Sequence, residues 1–176
     1  MRILVVDDEP GLRQTVSRIL AAEGYGTSTA SHGEEALAAL AENDADIVLC
    51  DLRMPKMSGL DFIDAYTGRN GQALVIAMSA YGDADTAIAA MQRGAYDYIQ
   101  KPFRAEEVIL CVRKAAEREK LRAKVKRLEA ELESLRGFEI VGQSASFRAA
   151  IEVARKVARH PSTVLITGES GTGKMS

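Results

Sequence analysis

The sequence predicts a doubly wound α/β fold built on a five-stranded parallel sheet. Two observations carry this. Short continuous apolar runs, such as Ile3-Leu4-Val5-Val6 and Ala73-Leu74-Val75-Ile76-Ala77-Met78, recur through the first hundred residues, with helical apolar spacing between them. Nearly every run also stops at a residue that carries chemistry, whether aspartate, serine or lysine. A strand buried on both faces reads as an unbroken apolar run, and strands alternating with helices imply parallel crossovers.

Residues 3–6 are too few for a helix and β-branched enough for a buried strand. Pro10 suits the first turn of the helix that follows, with Leu12, Val16, Ile19 and Leu20 on one face and Gly24 as its stop. Residues 25–30 form a weak strand with alternating Thr27 and Thr29, and residues 33–42 an alanine-rich helix with Ala36, Leu37 and Leu40 inward. The third strand, 46–50, ends at Asp51; a short helix spans 59–66, and the fourth strand is 73–78. A helix from 83 or 84 to 92 stops at Gly94, and the last strand, 96–99, runs into Lys101-Pro102. Right-handed crossovers then favour the flavodoxin-like strand order 2-1-3-4-5.

From Arg104 the pattern changes. No Gly or Pro occurs between Pro102 and Gly137, and helix formers dominate, so one helix of roughly 50 Å is expected over 104–136. Val108 and Val112 pack it on the sheet. Further along, Leu121, Val125, Leu128, Leu132 and Leu135 form a d-a-d-a-d seam among Lys, Arg and Glu, the pattern of a coiled coil rather than of a helix lying on its own domain. Beyond Gly137 come Ile140-Val141-Gly142-Gln143-Ser144, a helix over 146–159, a strand over 163–167 and a glycine-rich loop. The helix that such a loop should open is missing, so 137–176 is expected to be a fragment.

Charge divides the chain the same way. Residues 1–103 carry a net −7, residues 104–136 a net +3 and residues 137–176 a net +2. The acidic block disfavours nucleic-acid binding by the first hundred residues, since phosphate contacts need positive potential. Two cysteines, Cys50 and Cys111, make no disulfide framework and fit buried thiols in a reducing compartment. Asp7-Asp8-Glu9 would interrupt any signal-peptide core, and no apolar run approaches a membrane span, so a cytoplasmic location is expected.

Ligands of such folds bind at the carboxyl ends of the strands. Those ends hold Asp7 and Asp8, Asp51, Ser79 and Lys101, which brings three carboxylates, a hydroxyl and an ammonium to one edge. Crowded carboxylates repel unless a cation intervenes, and hard oxygen donors on a half-open surface suit Mg²⁺. His32 and His160 have no partners at metal-ligand spacing and are expected to carry no role.

Val5-Val6-Asp7-Asp8-Glu9, Asp51-Leu52-Arg53-Met54-Pro55, Met57-Ser58-Gly59, Met78-Ser79-Ala80 and Lys101-Pro102-Phe103 together strongly resemble a two-component response-regulator receiver domain. The resemblance implies that Asp51 is the phosphoacceptor and that Asp8, Asp51 and the Arg53 carbonyl ligate Mg²⁺, with Asp7 acting through water. It also implies that Lys101 and Ser79 contact the phosphoryl oxygens, that Ser79 and Tyr98 form a switch pair, and that the Lys101–Pro102 bond is cis.

Residues 138–174 resemble the opening of an AAA+ domain of a sigma-54-dependent activator. Gly168, Gly171, Gly173 and Lys174 have phosphate-cradling P-loop spacing, but Met175 follows where the family commonly has Glu. ATP binding is therefore expected only of a full-length parent. The combined resemblance is to an NtrC-type regulator: a receiver core at 1–103, a coiled-coil dimerisation linker at 104–136 and the start of an ATPase at 137–176. It implies a cognate histidine kinase, a homodimer and, for the parent, DNA and sigma-54 RNA polymerase as partners, with no membrane. A flavodoxin-like redox protein on the same fold would need a phosphate-binding loop where Asp7-Asp8-Glu9 stands, and a small independent ATPase would need far more chain.

Overall fold

The computed structural model describes residues 1–80, 84–136 and 144–157. Five parallel strands, β1 (Arg2–Val6), β2 (Gly26–Ala30), β3 (Ile47–Asp51), β4 (Leu74–Ser79) and β5 (Asp97–Gln100), lie in the order β2-β1-β3-β4-β5. The helices between and after them are α1 (Pro10–Ala22), α2 (Gly33–Glu42), α3 (Gly59–Gly68), α4 (Ala84–Gln92) and α5 (Ala105–Arg136). The chain divides into two units, Met1–Leu128 and Glu129–Ser176.

The alternation of each strand splits the core into two layers. Ile3, Val5, Ile47, Leu49, Ile76 and Met78 meet Val16 and Leu20 of α1 and Val108, Val112 and Ala115 of α5. Leu4, Val6, Val48, Cys50, Val75 and Ala77 meet Ala36 and Leu37 of α2, Phe62 and Ile63 of α3 and Ala90 of α4. The sheet is thus covered on both faces, as the unbroken apolar runs require. The edge strands are covered less: β2 has Gly26, Ser28 and Thr29 exposed, which explains its weak apolar signal, and β5 buries only Ile99.

Helix ends follow local chemistry. Pro10 opens α1, and Gly24, at φ +83°, turns the chain beyond its C-terminus. The Ser58 hydroxyl accepts from the Asp61 N–H and so caps α3. α3 runs two residues past the predicted end at 66, because nothing before Asn70, at φ 56°, forces the chain to turn. Gly59 is demanded by close approach: a Cβ there would sit on the Asp51 carbonyl oxygen and against the Leu52 backbone.

In α5, buried Val108, Cys111, Val112, Ala115 and Ala116 hold the helix on the sheet, and its apolar anchoring ends there. Arg118 then lies over the Tyr96 ring, 4.9 Å from its centroid, and Arg122 Nη2 donates to Gln72 Oε1 at 2.9 Å. Leu121, Val125, Leu128 and Leu132 are 44–59% exposed, so the predicted seam lies bare along a single chain. The Leu135 side chain falls outside the described residues. In the second unit, α6 (Ala145–Val157) matches the helix expected from 146, and the strand expected over 163–167 falls outside the described residues.

Replacing Gly59 by alanine should force the β3–α3 turn apart. The expected cost is about 2 kcal/mol or more, read as a lower urea midpoint at unchanged slope.

Candidate functional site

Register creates the site. Val6 pairs with Cys50, so the next residues, Asp7 and Asp51, leave adjacent strands side by side at the carboxyl edge. Both are buried, at 0% and 6% exposure. Lys101, just after β5, brings its Nζ to 2.6 Å from Asp7 Oδ2 and 3.0 Å from Asp51 Oδ2. Its backbone N–H donates to the Ser79 carbonyl at 2.7 Å, tying the lysine segment to the end of β4, and the Lys101–Pro102 bond is cis. Asp7 Oδ1 accepts from the Glu9 N–H at 2.9 Å, and the Arg53 backbone N–H donates to the Asp51 carboxylate.

Asp8 is exposed, and one carboxylate oxygen from each of Asp7, Asp8 and Asp51 lies within 4.8 Å of the others. The three acids expected from the sequence therefore meet. Ser79 is 2% exposed at the end of β4, whereas Tyr98 on β5 is 50% exposed. Tyr98 pairs with Ala77, which places Ala77, Ser79 and Tyr98 on one face of the sheet. The P-loop residues Gly168, Gly171, Gly173 and Lys174 lie outside the described residues.

Residues 3–113 match the response regulator receiver domain, and residues 140–176 match the sigma-54 interaction domain. The chain belongs to the response regulator receiver family. It is 36% identical to the regulatory protein AtoC of Escherichia coli K12 over 98% of this chain and 38% of that protein. It is 34% identical to the DNA-binding transcriptional regulator NtrC of Salmonella typhimurium, again over 98% of this chain but 36% of the relative. The chain thus spans well under half the length of these curated relatives. Among solved structures, NtrX from Brucella abortus superposes with a TM-score of 0.71 at 34% identity, covering 89% of this chain and 34% of that one. The isolated receiver domain of NtrX from the same organism gives 0.63 at 38% identity, covering 65% and 98%.

The electrostatics of the receiver site follow from burial. Loss of solvent holds the Asp51 carboxyl above its ordinary range, although Lys101 and the Arg53 N–H pull it down; the Asp7 charge adds to the rise. Burial also works against the Lys101 ammonium, but its bonds to Asp7 and Asp51 more than offset this and raise its pKa. Cys50, directly before Asp51 and fully buried, keeps its proton because burial and the neighbouring carboxylates both oppose a thiolate. The donor set of the receiver fits Mg²⁺: three hard carboxylate oxygens close enough to share one ion, with Asp8 exposed to solvent. Among the described residues no helix is long and apolar enough to cross a membrane.

Several contributors were not visible in the sequence. His32, expected to carry no role, caps α2: its Nδ1 accepts from the Glu35 N–H at 3.3 Å. Glu35 in turn accepts from the Ser31 N–H and hydroxyl, which holds its carboxyl below the ordinary range. The spacing of His32 and Glu35 was the available signal, since it is that of a capping box, although Glu35 closes on the Ser31 N–H rather than on that of His32. Arg13, one turn into α1, donates from Nη1 to the Asp7 carbonyl and fixes the turn that carries both Asp7 and Asp8.

Removing Lys101 leaves two buried carboxylates without a cation. Lys101→Met is expected to cost about 2–3 kcal/mol at neutral pH. The sign with pH is fixed by Asp51. Its raised pKa lets it take a proton in the folded state first, so the deficit shrinks as pH falls into the upper carboxylate range. Urea titrations of both proteins at neutral and mildly acid pH check this; a deficit that grows in acid would contradict it.

Proposed function

We propose that this chain is the receiver-and-linker part of an NtrC-type response regulator, and that it accepts a phosphoryl group from a histidine kinase on Asp51. In this reading residues 1–103 are the receiver core, 104–136 the dimerisation linker and 137–176 the beginning of the ATPase. The observation that supports it most is the side-by-side burial of Asp7 and Asp51 under one lysine, at the strand edge that also bears Asp8 and Ser79.

The residues supply the chemistry as follows. An Asp51 carboxylate oxygen bonds to phosphorus as the P–N bond to the donor histidine breaks, leaving the electron pair on the imidazole, which is protonated in turn. Asp8, Asp51 and the Arg53 carbonyl would hold Mg²⁺, with Asp7 acting through water. When bound, the cation neutralises charge on the phosphoryl oxygens. Lys101, already at Asp51, pairs with one of those oxygens and the Ser79 hydroxyl donates to another. Tyr98 then turns inward along the face it shares with Ala77 and Ser79. The resulting change reaches the linker, whose exposed seam receives a second copy. In the full-length parent this would govern an ATP-dependent activator acting on sigma-54 RNA polymerase at DNA, as the relatives' names and the match at 140–176 suggest.

Incubation with a small phosphodonor and Mg²⁺ is expected to add one base-labile phosphate, absent in Asp51→Asn; equally labile labelling of that variant would overturn the assignment. Asp8→Asn is expected to weaken Mg²⁺ binding by at least tenfold while the fold persists, because it removes a ligand and relieves carboxylate repulsion. Isothermal titration checks it.

The dimer is tested by sedimentation at tens of micromolar. Leu128→Asp with Leu132→Asp is expected to give monomers that still take phosphate at Asp51.

A further inference from the structure

Of the three acids at the strand edge, Asp8 alone has no support for its side chain. Lys101 and the Glu9 N–H hold Asp7, while Lys101 and the Arg53 N–H hold Asp51. The Asp8 carboxylate is exposed, and among the described residues no hydrogen bond or ion pair reaches it. It still offers an oxygen within 4.8 Å of oxygens from both other acids. Where that oxygen points is therefore decided by the backbone that carries it.

Arg13 holds that backbone on both sides of Asp8. Its Nη1 donates to the Asp7 carbonyl, which is the oxygen of the Asp7–Asp8 peptide. Its own backbone N–H donates to the Glu9 carbonyl at 3.1 Å as part of α1. The Asp7 N–H is taken by the Ala30 carbonyl at 3.2 Å. The sheet thus fixes the peptide before Asp7, and the Arg13 guanidinium fixes the one after it. Only the second of these bonds depends on a side chain that a substitution can remove while α1 keeps its ladder.

A cation beside a metal site has two effects of opposite sign. Through repulsion alone, losing the Arg13 charge would tighten the binding of a divalent cation. Through positioning, losing the bond would weaken it, because the Asp8 turn would have to be ordered at the moment of binding. Arg13 is only half-buried, so solvent screens the repulsion, whereas the hydrogen bond acts locally. Positioning should win.

We propose that Arg13 is a positioning residue for the divalent cation: by holding the Asp7 carbonyl, its guanidinium sets the direction in which Asp8 offers its carboxylate. The inference rests on the Mg²⁺ reading above and adds a residue that acts only through Asp8.

Mn²⁺, a hard cation suited to the same carboxylate and water ligands, is the probe, with the free ion counted by electron paramagnetic resonance. Arg13→Met removes the donors and keeps an apolar stem. It is expected to raise the Mn²⁺ dissociation constant about fivefold, the loss of one hydrogen bond. Tighter binding, or none of this loss, would overturn the proposal. The same substitution made in Asp8→Asn is expected to change the constant by about twofold or less, since its route through Asp8 is already cut. A full fivefold loss there would show Arg13 acting without Asp8 and would equally sink the idea.

Hydrogen exchange without metal separates positioning from a general loss of fold. In Arg13→Met the Glu9 amide, which bonds Asp7 Oδ1, is expected to exchange faster while the amides of β3 keep the parent's rates. A Glu9 amide as slow as the parent's would refute the positioning role. Unchanged Mn²⁺ binding in Asp8→Asn alone would defeat the metal reading itself, and the role of Arg13 with it. The ordinary loss in Asp8→Asn beside an unaltered Arg13→Met would defeat the positioning role alone.

Discussion

One ammonium shared by two buried carboxylates holds the functional edge of this protein together. Asp7 and Asp51 are delivered side by side by strand register, and without Lys101 their charges would face each other in a poorly solvated place. The pair cannot relax by moving apart, because Asp7 follows β1 and Asp51 ends β3, and both strands are pinned by layers on both faces. The counter-charge therefore has to come from outside those two strands. It arrives from β5, two strands away from β3, tied in by the Lys101 N–H on the Ser79 carbonyl.

The same arrangement explains the choice of residue types around it. Burial alone favours the protonated form of Asp51. Lys101 and the Arg53 N–H work against burial, leaving Asp51 raised but anchored to cationic and donor groups. Gly59 belongs to this constraint too. The helix that follows the Asp51 turn begins so close to the Asp51 carbonyl that no side chain fits. Site and scaffold share one tight turn.

Much of this was legible before any coordinates. Apolar runs placed the strands because both faces of the sheet are covered, and the carboxyl-edge rule gathered Asp7, Asp8, Asp51, Ser79 and Lys101 from distant parts of the chain. The seam of α5 was legible because its spacing is purely local. What escaped was of two kinds. The end of α3 lacks a strong stop signal, so its last residues were assigned to the following loop. The capping by His32 and the Arg122–Gln72 clamp depend on a ring's orientation and on a contact across fifty residues, and neither leaves a periodic trace.

The position of Lys101 has a consequence for how the protein comes into being. A chain emerging from the ribosome presents Asp7, then Asp51, long before the segment that neutralises them. Parallel strands cannot form local hairpins, so β1, β3 and β4 assemble only through distant contacts. Until β5 joins the edge, the two acids have no fixed cation. The shared-cation edge is thus a property of the finished sheet alone, and a half-folded chain carries both acids without it.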